Sequence, residues 1–536
     1  MNLSSRLSPV ARHALITGIA ALLLSSLPYL AGYAAQTPQQ VFDGAVFDLP
    51  DYHTHLGEMQ LGLRGEWLHR VLSTSENHAG VLMRTFFIAL GHVARIFDLS
   101  LPLVYQIARL VFGALFLVAA YRFIAALASR PEVRRVAFTL VAFSSGLGWL
   151  MQMLAPAGPD GISPIDFWLI DANSFFSIFI FPHFTAAMAL LLEIFRRLIQ
   201  ALELDRAIPP RVPRPLDTFS VALFAFLLAT IHPYLMALIV GPAAIFGAAQ
   251  ALRGRPPARA WWMFVTGTLI GAAPVLLYSA IVFGSEPVFR AWAAQNLTPS
   301  PPPIYYVLGF GLVLALAFVG LKQFVRENGD RAVFILIWIA LVAGLIYLPV
   351  GIQRRFIEGI HVPLSLIAAY GLVRLTERLA ARTRFVIVNL TLALASLSTM
   401  YLVVGYTTAA AMRSEAFFHS GDLIAVVDWL GAHSVWDDTV LAAEPTGSLI
   451  PARIGQRVAL GHWAETVAYA DRQRDIARFY DAATPDADRV ELLKQLGVRF
   501  VLFGSHERAL GAFDPARAPY LQPVYASSAV SVYSPR

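Results

Sequence analysis

The stretch Asp51-Tyr-His-Thr-His-Leu-Gly-Glu58 decides how this chain is read, because it follows soon after the first long apolar run, Ala14 to Leu30. A span of about 20 apolar residues crosses the hydrocarbon core of a bilayer. Acids and histidines at or inside a membrane are costly, so a dense cluster of them marks a candidate site. The two segments together predict one span leading into an outer segment equipped for chemistry.

The same alternation repeats along the chain. Its 536 residues are 57% hydrophobic and 14% charged, with a mean hydropathy of +0.60, whereas soluble proteins carry roughly 25% charged residues. About eleven stretches meet the span criterion. They are Ala14 to Leu30, Leu103 to Phe123, Val136 to Met153, Phe175 to Phe195, Leu216 to Ile231, Tyr234 to Ala251, Trp261 to Phe283, Ile304 to Leu321, Val333 to Val350, Ile357 to Val373 and Phe385 to Tyr406. The fold class expected is an α-helical polytopic membrane protein.

Arginines crowd alternate loops: Arg6 and Arg12, Arg130 to Arg135, Arg196 to Arg214, Arg253 to Arg259, Lys322 to Arg331 and Arg378 to Arg384. The positive-inside rule assigns these loops to the cytoplasm, with the N-terminus inside and the C-terminus outside a cell (plasma or inner) membrane. The rule also accounts for the net charge of +6. No basic tract with interleaved aromatics is present, so nucleic acid is not an expected partner. Cysteine is absent, which excludes disulfides and thiolate metal sites. The first apolar run is longer than a usual signal-peptide core and reads as an uncleaved anchor, although Ala31-Gly-Tyr-Ala-Ala35 has the small residues of a cleavage region.

Three outer segments are long: Ala34 to Leu101, Ala155 to Ser174 and Gly284 to Pro303. Within the first, His78 to Phe97 is apolar but interrupted by Arg84, His92 and Arg95, and reads as an amphipathic helix lying in the interface. After Ala411 charged residues become frequent and apolar runs shorten. The sequence therefore divides into a membrane domain, 1–411, and an outer α/β domain, 412–536, long enough for its own core. In that domain Thr439 to Ala443, Arg457 to Leu460 and Arg499 to Phe503 read as strands, Asp471 to Tyr480 and Ala487 to Leu496 as helices, and Val524 to Tyr533 as a terminal hairpin.

Asp51, His55 and Glu58 recur at helical spacing and would share one helix face within about 60°, with His53 pointing elsewhere. A carboxylate there suits a general base toward a hydroxyl. Asp51, His55 and Glu58 together also suit a divalent cation, Mg or Mn, and a reaction needing no cation is equally open. Glu76 and His78 read as the start of the interfacial helix. In the second outer segment stand Asp166 and Asp171, followed by His183 inside the next span. His232-Pro-Tyr234 reads as a hairpin tip between two short spans. Gln353-Arg-Arg-Phe356 breaks the charge rule by placing Arg354 and Arg355 at an outer membrane edge. Arginine suits bidentate phosphate binding, which at that depth points to a lipid-linked phosphate. His462 and Glu465 in Gly461-His-Trp-Ala-Glu-Thr466, and Glu444-Pro-Thr-Gly447, sit at strand ends, where α/β sheets meet ligands. No Walker A lysine motif, dinucleotide fingerprint, zinc-protease helix or nucleophile elbow occurs, which argues against ATP-driven transport and common soluble hydrolase chemistry.

In these features the chain resembles the GT-C superfamily of membrane glycosyltransferases. The matching residues are Asp51 with Gln60-Leu-Gly62 and Gly65-Glu-Trp67, Glu76, Tyr105 and Arg109 opening the second span, and Gln353-Arg-Arg355 before Pro363-Leu364. No Trp-Trp-Asp signature is present, and Asp166 and Asp171 stand five apart rather than as Asp-x-Asp. The resemblance implies a polyprenyl-phosphate-linked sugar donor, a glycan, lipid or protein acceptor, and inversion at the anomeric carbon. It implies Asp51 as base, with Asp43 and Asp48 as rivals, and Arg354 and Arg355 on the donor phosphate. His53, His55, Glu58, Glu76, His78, Asp171, His183, His232, Gln353 and His462 would complete the pockets. Two other readings stay open: a transporter or flippase for an anionic lipid-linked glycan, which needs inverted repeats and broken helices not apparent in the sequence, and a non-catalytic envelope-assembly protein.

Overall fold

The first apolar run folds into the 27-residue helix Pro9–Ala35, about 40 Å long at 1.5 Å per residue. The computed structural model describes residues 8–154, 163–206, 212–257 and 259–536. Arg6, Arg211 and the first part of the second outer segment, 155–162, lie outside the described residues.

Each expected apolar stretch is largely helical, although Val333 to Val350 is helical only to Leu345 and Ile357 to Val373 becomes α-helical only at His361. Among the described residues five helices are long and apolar enough to cross a membrane: Pro9–Ala35, Leu101–Leu127, Leu235–Leu252, Arg259–Ser285 and Pro303–Asn328. Two bent pairs raise the number to seven, Pro131–Phe143 with Gly148–Leu154 (48°) and Ala381–Ala395 with Leu397–Ala411 (49°). Others are shorter than a full span, such as Pro215–Ile231 and His361–Thr376. The expected span Phe175 to Phe195 is split at Phe181 into Ser174–Ile180 and Pro182–Arg206, because proline cannot donate the helical hydrogen bond but fits the first turn of a new helix.

The chain forms two compact units. The first holds 1–27, 107–278 and 298–406. Two of its helices are bent, and the two bends satisfy each other. Ser145 N–H donates to Ala395 O (2.8 Å), Trp149 N–H to Ser398 Oγ (3.0 Å), Ser398 Oγ to Gly146 O (3.2 Å) and Thr399 N–H to Ser145 Oγ (3.0 Å). Backbone groups freed inside a membrane need such partners. Helices Pro303–Asn328 and His361–Thr376 cross at backbone contact: a Cβ on Gly320 would lie 2.0 Å from Ile367 O, and one on Gly371 2.1 Å from Leu316 O. Small residues at such crossings are the usual packing device of membrane helices. Arg109, almost fully buried, donates to Ser25 Oγ (3.0 Å), Ser26 Oγ (3.2 Å) and Ile178 O (3.2 Å), and so serves as an interhelical tie.

The second unit holds 28–106, 279–297 and 407–536. Strand β1 (Gln40–Phe42) pairs antiparallel with β2 (Phe418–Ser420). A five-stranded sheet is built from β3 (Thr439–Leu441), β4 (Arg457–Val458), β5 (Val498–Phe503), β6 (Leu521–Ala526) and β7 (Ser531–Pro535), in the order β4-β3-β5-β7-β6. β3 runs parallel to β4 and β5, and the β6–β7 hairpin adds antiparallel to β5. Side chains alternate across the sheet. Val440, Phe500 and Val532 join one core with Val427, Leu430 and Ile450, while Leu441, Val501 and Tyr533 join another with Ile476, Phe479 and Leu493. Each fully buried aliphatic side chain contributes about 1.5–3 kcal/mol. The helix Gly421–His433, absent from the sequence reading, covers one face; its first turn is capped by Ser420 Oγ on the Leu423 N–H.

Candidate functional site

Chemistry-bearing residues occur in both units. In the second unit the helix Leu49–Arg64 carries Asp51, His53, His55 and Glu58. Pro50 starts it at a position where no N–H is missed, and Gly65, with φ 98°, ends it in the left-handed conformation. Asp48 is its N-cap and Asp51 lies in its first turn, whereas Asp43 directly follows β1. The helix packs on Thr85–Phe97 through glycines: a Cβ on Gly62 would lie 1.9 Å from Ile88 O, and one on Gly91 2.0 Å from Met59 O. On its other side Gln60 Nε2 donates to Ala452 O (3.1 Å) and Arg453 O (2.6 Å), capping the last turn of helix Glu444–Ile454.

Arg84 organises this region. Its backbone is left-handed (φ 52°, ψ 31°), a conformation that costs a non-glycine residue energy and persists only when its surroundings fix it. Its guanidinium lies 2.8 Å from Glu58 and 2.8 Å from Glu465. Trp292 Nε1 donates to the second Glu465 oxygen at 3.0 Å. One positive charge serves two buried carboxyls, and they separate. Burial would raise Glu465, but Arg84 and His462 beside it hold it below its ordinary range. At Glu58 burial wins over Arg84 and His69, and the carboxyl is pushed up to about 7. His55, stacked on Phe87 with ring centroids 3.9 Å apart, is pushed down to about 3 by burial and by Arg84. It is a neutral imidazole at pH 7. His69 is likewise lowered to about 4 by burial.

Asp51 differs from these buried groups. Its side chain is 37% exposed, and His462 Nε2 lies 3.3 Å from one carboxyl oxygen. It is thus an accessible carboxylate steadied by a buried imidazole. His55 Nδ1 is 3.5 Å from Glu58, but Asp51 is taken by His462 and Glu58 by Arg84. Among the described residues the ligand atoms of Asp51, His55 and Glu58 do not gather into one metal-ligand group. His53 instead faces Asp43 at 2.7 Å.

Glu76 and His78 do not start a helix, since Thr85–Phe97 begins later. The preceding chain is extended and held by the bridge between His69 and Val81, so the expected helix is shorter at its N-terminal end. Glu76 pairs with Arg472 (2.6 Å). His78 Nε2 accepts from Val71 N–H (3.0 Å), and its Nδ1 lies 2.9 Å from Glu76 O. Both serve as clasps. Arg84 as the partner of two carboxyls was not legible, because the partners lie far apart in sequence.

In the first unit the two acids of the second outer segment take different roles. Asp166 Oδ2 accepts from Gly146 N–H and Gly148 N–H, both at 3.0 Å, and anchors a helix break. Asp171 is buried, and neither carboxyl oxygen has a hydrogen-bond partner among the described residues. Burial pushes it up to about 7 against the pull of the nearby Arg355 and Arg354 charges, with Glu358 adding to the rise. The turn Gln353–Ile357 carries those arginines, with Gln353 at its start, and Arg354 stacks 5.1 Å over Trp168. Glu358, fully buried, is 2.9 Å from His232 and accepts from Tyr234 OH at 2.8 Å. His183, in the first turn of Pro182–Arg206 rather than mid-span, packs its ring 5.1 Å from that of His232. The structure thus gathers Asp171, Arg354, Arg355, Glu358 and His232, which the sequence scatters over nearly 190 positions.

Neither a protein-family model nor a curated protein matches the chain. Solved structures do. The oligosaccharyltransferase AglB of Archaeoglobus fulgidus, in complex with an inhibitory peptide and a dolichol-phosphate, aligns with a TM-score of 0.56 at 13% identity, over 98% of this chain and 74% of that one. ArnT of Cupriavidus metallidurans, bound to undecaprenyl phosphate, aligns at 0.53 and 11% identity, over 96% and 97%. The mycobacterial arabinofuranosyltransferase AftD aligns at 0.53 and 15% identity, over 98% of this chain and 40% of that one. The chain thus shares the fold of these structures, a largely helical body with several apolar spans and a small sheet region toward the C-terminus, and the α-helical polytopic class expected from the sequence holds.

Proposed function

We propose that this chain is a membrane glycosyltransferase that moves a sugar from a polyprenyl-phosphate donor to an acceptor on the outer face of the plasma membrane. The observation that carries the reading is the mutual coverage with ArnT, 96% of one chain against 97% of the other: the likeness includes the outer segments and the C-terminal domain as well as the spans.

In the reaction an acceptor hydroxyl oxygen attacks the anomeric carbon, the bond from that carbon to the phosphate oxygen breaks, and polyprenyl phosphate leaves. Asp51 takes the hydroxyl proton; an exposed carboxylate held by His462 suits that role. Arg354 and Arg355 balance charge developing on the leaving phosphate. The single displacement inverts the configuration. Arg84, Glu58 and Glu465 position the helix that carries Asp51. A transporter would keep unwound backbone available to its cargo, whereas the backbone groups at the two helix bends are bonded to each other.

The test is the purified full chain in nanodiscs with a panel of undecaprenyl-phosphate-linked pentoses and hexoses, following release of undecaprenyl phosphate. Release from one donor class, lost in Asp51→Asn, supports the reading. Translocation of a donor without release from any of them contradicts it.

A further inference from the structure

Beyond the acids assigned above, the second unit contains a cluster that the transfer reaction does not use. Asp43, His53 and His419 each offer a ligand atom, and these atoms lie within 4.8 Å of one another. His53 Nε2 is 2.7 Å from Asp43 Oδ2, and His419 Nε2 is 3.3 Å from Asp43 Oδ1. A further observation points to a missing ligand. The Tyr52 hydroxyl is buried without a hydrogen-bond partner among the described residues, and it lies against Gly44, the residue after Asp43.

The backbone prepares this convergence. In the β1–β2 pair Val41 stands opposite His419. Side chains two apart on a strand share a face, so Asp43 falls diagonal to that pair. The Asp43 N–H donates to Phe417 O at 2.9 Å, which fixes the carboxylate relative to His419. Gly44, at φ 98°, turns the chain toward helix Leu49–Arg64, whose second turn supplies His53. The ligands come from the start of the first outer segment, from that helix and from the chain leading into the C-terminal domain.

We propose that Asp43, His53 and His419 bind a zinc-class divalent cation that staples β1 and helix Leu49–Arg64 to β2. Two imidazoles and a carboxylate are a donor set for zinc rather than magnesium. Tetrahedral zinc with ligands at about 2.0–2.2 Å needs ligand atoms roughly 3.3 Å apart, and the observed separations bracket that value. The fourth position would be water, within the polar surroundings that the Tyr52 hydroxyl provides. Binding would fix the helix that presents Asp51 without contacting the transferred sugar.

The test is zinc binding by the full chain in detergent after chelation, measured by metal content and by thermal unfolding with added Zn2+. The expected result is one tightly bound zinc per chain and a raised melting temperature, with affinity lowered at least 100-fold in His419→Ala and in His53→Gln. His433→Ala, a histidine on an exposed helix end outside the cluster, should keep wild-type affinity. No tight zinc in the wild type, or equal binding by the His419→Ala and His433→Ala variants when all of them remain folded, would overturn the proposal and leave the cluster a hydrogen-bonded ion group.

Discussion

Glu58 in one unit and Asp171 in the other are both buried carboxyls pushed up to about 7, yet they are held in opposite ways. Glu58 touches its cation at 2.8 Å and shares it with Glu465. Asp171 feels the charges of Arg355 and Arg354; its oxygens, like those of Glu58, have no hydrogen-bond partner among the described residues, so the difference lies in the cation that Glu58 touches. The first arrangement is closed, with its acids committed to a strut beneath an exposed carboxylate. The second leaves its acid uncommitted beside two arginines, which suits a place where an anion comes and goes. Neutrality alone therefore does not identify a working group; its partners do.

The sharpest way to separate strut from working acid is Asp51→Asn. Asp51 stands partly in solvent, so its loss should cut the transfer rate by about 10²–10⁴ while thermal stability stays near wild type. Melting far below wild type would place Asp51 in the strut. Arg84→Met should do the reverse and destabilise first, by about 3–5 kcal/mol, because it strands Glu58 and Glu465 without a cation. Arg84→Lys should recover part of that loss in a denaturant or thermal series. An Arg84→Met variant as stable as wild type would show that the two carboxyls do not depend on it.

For the open arrangement, Arg355→Ala should weaken undecaprenyl phosphate binding about 10- to 100-fold, the worth of one or two charge-assisted hydrogen bonds. Unchanged lipid affinity would remove the arginine pair from the donor site. The smallest effect concerns pH. Between its ordinary 4.5 and about 7, Glu58 keeps in the folded chain a proton that the unfolded chain has released. Its contribution to stability therefore falls as pH rises across that window and is level above it. Glu58→Gln removes this slope, so the variant should gain on wild type from about pH 5 to about pH 7.5. A constant difference in melting temperature over that range would mean that Glu58 is ionised throughout.

The sequence displayed these two arrangements unequally. Spans, strands and the α/β domain were legible because apolar length and alternation are local properties, as at Thr439–Leu441 and in the terminal hairpin. The helical spacing of Asp51, His55 and Glu58 was legible for the same reason. What escaped were long-range partners. Glu465 reaches Arg84 across 381 positions, and His419 meets Asp43 only because β1 pairs with β2. The broken helices escaped as well, since Ser145 and Ser398 carry no signature apart from the hydrogen bonds they make. The extra helical start assigned to Glu76 and His78 came from an apolar pattern that the His69–Val81 bridge overrides.

In the proposed reaction an exposed carboxylate on the first-segment helix does the chemistry while the buried acids around it give support. The most direct test is a single-turnover assay of Asp51→Asn and Glu58→Gln side by side, in nanodiscs, with the donor that the wild type accepts. Normal donor binding without sugar transfer is expected in Asp51→Asn, with transfer within about tenfold of wild type in Glu58→Gln, as for a residue without a proton-transfer role. Transfer by Asp51→Asn at the wild-type rate, or its loss in Glu58→Gln alone, would exclude Asp51 as the base and move that role to a buried acid.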